Sequence, residues 1–186
     1  MSGNFKKEDL RIKKTYKALI NSLIILLGHR SFGQITVNDL CEKAQISRAA
    51  FYTHFNDKYD LLRYWLKNLK PEIIKKEYTY KQLEESINIY IQDNSKIIKN
   101  LVENANNETL DILREFMCTL LEINKEEKEE GLVSYEHTIL TNFCSGGMLN
   151  LLLWQAKNKF PQETQMMNSY FYKMLVHLLE WDIDQK

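Results

Sequence analysis

Apolar residues recur at helical spacing through almost the whole chain. Ile12, Tyr16, Leu19, Ile20, Leu23 and Leu27 follow at steps of four and three, one face of an amphipathic helix, with Lys13, Lys14 and Lys17 mostly on the other side. This predicts a first helix over residues 8–29. Thr36 then offers a side-chain oxygen as N-cap with Asp39 three positions on, and Val37, Leu40, Cys41 and Ala44 continue as a short second helix of about two turns. Only Gln45 and Ile46 separate it from a second N-cap, Ser47, which opens the run Arg48-Ala49-Ala50-Phe51-Tyr52-Thr53-His54-Phe55. Phe51 and Phe55 stand one turn apart there and face inward with Ile46. Asn56-Asp57 caps a fourth segment, residues 58–70, with a stripe of Leu61, Leu62, Trp65 and Leu69, which Pro71 is expected to end or kink.

Beyond Pro71 the signals stay helical. Leu83, Ile87, Tyr90 and Ile91, then Ile97, Ile98, Leu101 and Val102, then Leu110, Leu113, Phe116, Met117, Leu120 and Leu121 predict three helices, broken near Asp93-Asn94 and Ala105-Asn106-Asn107. Residues 125–130 hold no apolar side chain and read as a solvated loop or frayed helix end. Two strongly apolar segments, residues 134–158 and 162–182, follow on either side of Pro161. With only six glycines and two prolines, the chain lacks the turn residues of an all-β fold. The expected fold is all-α with about nine helices: an N-terminal three-helix unit over residues 1–57, opening with a basic arm at 1–9, and a larger C-terminal helical bundle over residues 58–186.

Charge adds to this picture. The net charge of zero hides an asymmetry: residues 1–70 carry 13 Lys and Arg against 6 Asp and Glu, while the remainder carries 12 against 19. The first part alone is suited to a polyanion. The longest apolar stretches, residues 19–27 and 148–154, fall short of the roughly 20 residues that span a bilayer, and no secretory leader opens the chain, so a cytoplasmic protein without a membrane partner is expected. Cys41, Cys118 and Cys144 are odd in number and widely spaced, which fits a reducing compartment and, for Cys41, a core position. The four histidines and the cysteines share no metal spacing, and no nucleophile with a base, paired carboxylates or cofactor motif stands out. Neither a metal, a cofactor nor an enzyme activity is expected.

Two short capped helices joined by a tight turn form a helix-turn-helix, whose second helix can enter the DNA major groove. Its exposed side presents Arg48, Ala49, Thr53 and His54: Ala49 permits close approach, Arg48 can donate two bonds to a guanine edge, and Thr53 can meet a base or a thymine methyl. Lys6, Lys7, Arg11, Lys13 and Lys14 read either as an arm adding phosphate or minor-groove contacts or as a solvated tail.

The string Ile35-Thr36-Val37-Asn38-Asp39-Leu40, then Ala44-Gln45-Ile46-Ser47-Arg48, then Phe51-Tyr52-Thr53-His54-Phe55-Asn56-Asp57-Lys58, then Leu61-Leu62, resembles the N-terminal domain of TetR-family (tetracycline-repressor-like) transcription regulators. The resemblance covers about residues 10–62. It implies that Thr36, Tyr52, His54 and Lys58 hold phosphates, that Arg48, Ala49 and Thr53 face bases, and that Ser47 serves either role while capping. Gln45 and Ser31 stand where many members have glycine. Phe143-Cys144-Ser145-Gly146-Gly147, leading to Leu151, Leu152 and Trp154, resembles the penultimate helix that builds the dimer interface of many members.

The reading is therefore a sequence-specific DNA-binding regulator, an effector-responsive repressor that binds a palindromic operator as a homodimer, its effector a small molecule or a protein. A helical regulator or activator acting through a partner protein, with little DNA specificity, is the alternative. The expected interface residues are Phe143, Gly146, Gly147, Leu149, Leu153, Phe171, Met174 and Leu178. Tyr78, Tyr80, Tyr90, Phe116, Met117 and Trp154 are candidates for a ligand cavity, although aromatic and Met residues at helical spacing more often form plain core; Gly146-Gly147 also suits close helix packing.

Overall fold

The computed structural model describes residues 2–73, 80–121, 135–159 and 164–183. These residues form nine α-helices and one 3₁₀ turn, with no strand among them: α1 Ser2–Leu27, the 3₁₀ turn Phe32–Gln34, α2 Val37–Ala44, α3 Arg48–Tyr52, α4 Lys58–Ile73, α5 Tyr80–Asp93, α6 Ser95–Val102, α7 Asn107–Leu121, α8 Tyr135–Lys157 and α9 Thr164–Ile183. The all-α expectation holds. Residues 125–130, Tyr78 and Pro161 lie outside the described residues, as do the side chains of Lys6, Lys7, Tyr80 and Leu178.

Polar residues mark several helix boundaries where the sequence placed them. Asn94 separates α5 from α6 and donates its amide to the Tyr90 carbonyl at 3.0 Å. Asn106 opens α7 by accepting from the Thr109 backbone N–H at 3.0 Å and hydroxyl at 2.8 Å. Three expectations need correction. The basic arm is backbone helix from Ser2 onward, continuous with α1. Helix α4 runs through Pro71 to Ile73, so the proline does not end it there. The 3₁₀ turn went unforeseen, since three residues carry no period.

One contiguous core runs through the molecule. Leu19, Leu23 and Leu27 of α1 close over Phe32, Ile35, Leu40 and Phe51, all of them buried. Helix α4 extends that core: Leu61 and Leu62 pack toward the N-terminal helices, while Trp65, Leu66 and Leu69 join the buried residues of α6, α7 and α8. Polar contacts reinforce the join. The Asn100 amide donates to the Leu27 carbonyl at 2.7 Å, satisfying an acceptor at the C-terminus of α1, and the Asn106 amide donates to the Tyr59 hydroxyl at 2.9 Å.

Candidate nucleic-acid interface

The turn between α2 and α3 is built by local hydrogen bonds. Gln45 adopts the left-handed conformation, φ 57° and ψ 41°, and the chain closes with Gln45 N–H donating to the Glu42 carbonyl at 3.2 Å and Ile46 N–H to the Cys41 carbonyl at 3.0 Å. A glycine would reach this conformation without cost; a glutamine holds it with the helix end as anchor. Ser31 needs no such freedom, because its φ is −65° and its backbone is extended.

Both caps form. Thr36 and Asp39 make a full capping box: the Asp39 N–H donates to Thr36 Oγ1 at 3.2 Å, while the Thr36 N–H and hydroxyl donate to Asp39 Oδ2 at 2.8 and 2.6 Å. The other carboxylate oxygen takes an ion pair from Arg30 at 2.8 Å. The Thr36 hydroxyl and the Arg30 guanidinium together hold the Asp39 carboxyl down at about 2. Ser47 Oγ accepts from the Ala50 N–H at 3.1 Å and so starts α3.

Arg48, Ala49 and Thr53 are exposed along α3 and its end, beside Tyr52, which is 49% exposed. The Arg48 guanidinium lies 5.8 Å above the Tyr52 ring one turn on. That contact orders a long cation at the surface. The Thr53 hydroxyl donates to the Ala49 carbonyl at 2.9 Å, so its methyl and lone pairs are what it offers outward. Phe51 is fully buried and anchors the helix from behind.

Three of the expected contacts are engaged within the chain. His54 is half-buried, its ring set edge-on against Tyr16 of α1 at 5.2 Å, so it packs the recognition unit onto α1. Lys58 turns inward. Its ammonium donates to the carbonyls of Phe32 at 3.0 Å, Gly33 at 3.1 Å and Ile35 at 2.8 Å, which engages all three of its N–H donors and leaves none for a phosphate. Burial accordingly lowers its pKa from the ordinary lysine value, with the neighbouring Asp57 carboxylate opposing the shift. Thr36 likewise has its hydroxyl engaged in the capping box. The sequence showed a cap and a cation but not these destinations.

Behind this surface, a cavity of about 100 Å³ lies between α4, α5, α6, α7, α8 and α9. Tyr90, Phe116 and Met117 line it as expected, together with Trp65, Leu66 and Leu69 of α4. Trp154 does not: it sits on the outer side of α8, 46% exposed. The interface candidates also divide. Leu149 is buried in the chain's own core, and Leu153 and Phe171 pack against that core. A Cβ on Gly147 would lie 3.0 Å from the Phe171 ring, so this glycine serves close packing of α8 on α9 within the chain, whereas Gly146 has open space. Phe143 and Met174 are exposed at 67% and 51%. Ile139 and Trp154 on α8 and Met166 and Tyr170 on α9 are exposed as well, at helical spacing with Phe143 and Met174 respectively.

Sequence reasoning missed the Arg30–Asp39 pair and a buried chain of amides, Asn88, Asn168 and Gln155, beside the cavity. Their signal is only polar residues inside apolar helices, which become meaningful once burial is known. No His, Cys, Asp and Glu cluster able to hold a metal occurs among the described residues. None of the described helices is long and apolar enough to cross a membrane. Burial raises the thiol pKa of Cys41 and Cys144, as for inert core cysteines.

The model for bacterial regulatory proteins of the tetR family matches residues 19–64, the stretch from the middle of α1 to α4 that contains the whole capped turn. Residues 19–64 thus carry the helix-turn-helix domain of the tetR family. The chain is 25% identical over 171 residues to the transposon Tn10 TetC protein of Escherichia coli, covering 83% of this chain and 86% of that protein. It is 36% identical over 73 residues to the HTH-type transcriptional regulator YwcC of Bacillus subtilis, covering 37% of this chain and 33% of that one. Its fold is shared with a TetR transcriptional regulator from Streptococcus agalactiae, at a TM-score of 0.65 and 22% identity over 91% of this chain and 98% of that one. It is also shared with the dihydroxyacetone kinase operon activator DhaS, at 0.58 and 16% over 89% and 96%. Over residues 19–64 the chain is thus similar to the DNA-binding helix-turn-helix of bacterial transcription regulators.

Proposed function

We propose that this chain is an effector-responsive repressor that reads a roughly palindromic operator as a homodimer. The observation carrying the reading is the surface of α3: Arg48, Ala49, Tyr52 and Thr53 stand exposed on a helix whose start is capped by Ser47 and whose back is anchored by Phe51. Arg48 and Thr53 read base edges, Ala49 admits the helix backbone, and Ser47 and Tyr52 hold phosphates.

The exposed apolar residues Ile139, Phe143, Trp154, Met166, Tyr170 and Met174 support the dimer, because a second copy covers them by two-fold symmetry. The two copies of α3 then meet successive major grooves about 34–36 Å apart, or whole turns further. The cavity supports the effector. Its wall includes Trp65, Leu66 and Leu69 of α4, and the start of α4 is tied at Lys58 to the turn that precedes α2. A ligand whose affinities for two positions of α4 differ by about 1–3 kcal/mol shifts the spacing of the reading heads.

Selection of bound DNA from a random pool, with wild-type protein and an Arg48→Ala/Tyr52→Ala control, tests the reading. A palindromic motif lost in the control is the expected result; no enrichment at any salt concentration overturns it.

A further inference from the structure

The Gln155 side chain is 1% exposed and lines the cavity. Its Nε2 donates to Asn168 Oδ1 at 2.7 Å, and Asn168 Nδ2 donates in turn to Asn88 Oδ1 at 2.6 Å, so three buried amides on α8, α9 and α5 form a directional chain. The chain runs away from Gln155 and leaves Gln155 Oε1 buried with no hydrogen-bond partner. A buried, unpaired carbonyl oxygen costs roughly 1–3 kcal/mol, and native structures keep few of them. The cavity that Gln155 helps to line is walled also by Trp65, Tyr90, Phe116, Met117, Met148 and Phe171, and no Lys, Arg, His, Asp or Glu is among the described residues that line it.

We infer that this cavity takes a small uncharged molecule with an apolar body and one O–H or N–H donor, and that Gln155 Oε1 receives that donor. The inference rests on the cavity being the effector site and names the chemistry it selects. A charged ligand finds no counter-charge among the described residues of the wall and would lose its hydration without replacement. A lone water needs two to four polar partners to be held, whereas one hydroxyl on an apolar body satisfies both the orphan oxygen and the walls. Size narrows the class further. An engineered apolar cavity of about 150 Å³ accepts benzene, so a space of about 100 Å³ admits one small ring or a short chain, with the two methionines yielding where the fit is tight.

The test is calorimetric and NMR titration of the full-length wild-type protein, without DNA, against phenol, toluene, anisole and benzoate. Phenol is expected to saturate one site per chain and to bind about tenfold more tightly than toluene, which matches its shape, or anisole, its methyl ether, neither of which donates a hydrogen bond. Benzoate is expected not to bind. In wild-type protein, the Gln155 side-chain amide resonances shift with phenol and not with toluene; in Gln155→Met the phenol preference falls to about twofold or less. The wild-type preference and amide shift decide the matter even if that variant fails to fold. Equal binding of toluene and phenol, preferred binding of benzoate, or binding of none of the four overturns the inference. A parallel operator-binding titration with and without phenol separates the two readings: phenol binding that leaves operator affinity unchanged supports the pocket chemistry and overturns only its role as effector site.

Discussion

The Lys58 ammonium lies 2.8 Å from the carbonyl oxygen of Ile35, the residue that ends the 3₁₀ turn just ahead of the Thr36 cap. With the carbonyls of Phe32 and Gly33 also accepting, the first residue of α4 serves as a clasp on the loop that positions the helix-turn-helix. The Phe32 and Tyr59 rings lie 4.8 and 5.4 Å from the same ammonium and give it further company. Four residues along α4 from Leu61 lies Trp65, in the cavity wall, so one rigid helix spans both.

Lys58→Ala should therefore act on stability before it acts on DNA. Removing the cation leaves three carbonyls without their donor, and a loss of about 1–3 kcal/mol is expected in urea unfolding. At temperatures where the variant is folded, the salt dependence of DNA binding should keep its slope. A slope shallower by about one unit would return Lys58 to the set of phosphate contacts.

Arg48→Ala should weaken operator binding by about 1–3 kcal/mol and relax preference at one base pair. Binding to a panel of single-base operator variants measures this. An equal loss on every sequence would make Arg48 a phosphate contact instead.

The Thr36–Asp39 box predicts a pH dependence of stability. Asp39 is held at about 2 in the folded chain against an ordinary value of 3.8, so its ionised form favours folding. That contribution is complete above the ordinary value and is lost as pH falls toward 2. Comparing wild type with Asp39→Asn in acid, the stability gap should be widest near neutrality and should close between about pH 4 and 2. A gap that stays constant across that window removes the carboxylate charge from the account.

Phe143→Glu and Met174→Glu should turn a dimer into a folded monomer, as light scattering and circular dichroism together report, since both side chains stand exposed. Leu149→Ala makes the contrast: it opens a void in the chain's own core and should cost about 2–5 kcal/mol of folding stability. A wild-type protein that is monomeric at micromolar concentration would sink the dimer proposal.

The local chemistry of the N-terminal unit was readable along the chain because its causes are local. Thr36 with Asp39, and Ser47 ahead of Arg48, satisfy main-chain donors within three residues, so the caps and the helices they start follow from order alone. The stripes on α1 and α4 were legible for a related reason: each helix has one apolar face, and period alone says which residues share it. Helices α8 and α9 are apolar on several sides, so period could not separate Leu149, which is buried, from Phe143 and Trp154, which are exposed. The destination of the Lys58 ammonium was equally hidden, because its acceptors lie 23 to 26 residues away in sequence. The amide chain joins Asn88 to Asn168 across 80 residues. Hydrogen bonds and burial of that range are fixed only when helices pack. The sequence by itself determined the helices, their caps and the reading head; the tertiary structure decided which face of each apolar helix meets its own core, and which buried oxygen is left without a partner among the described residues.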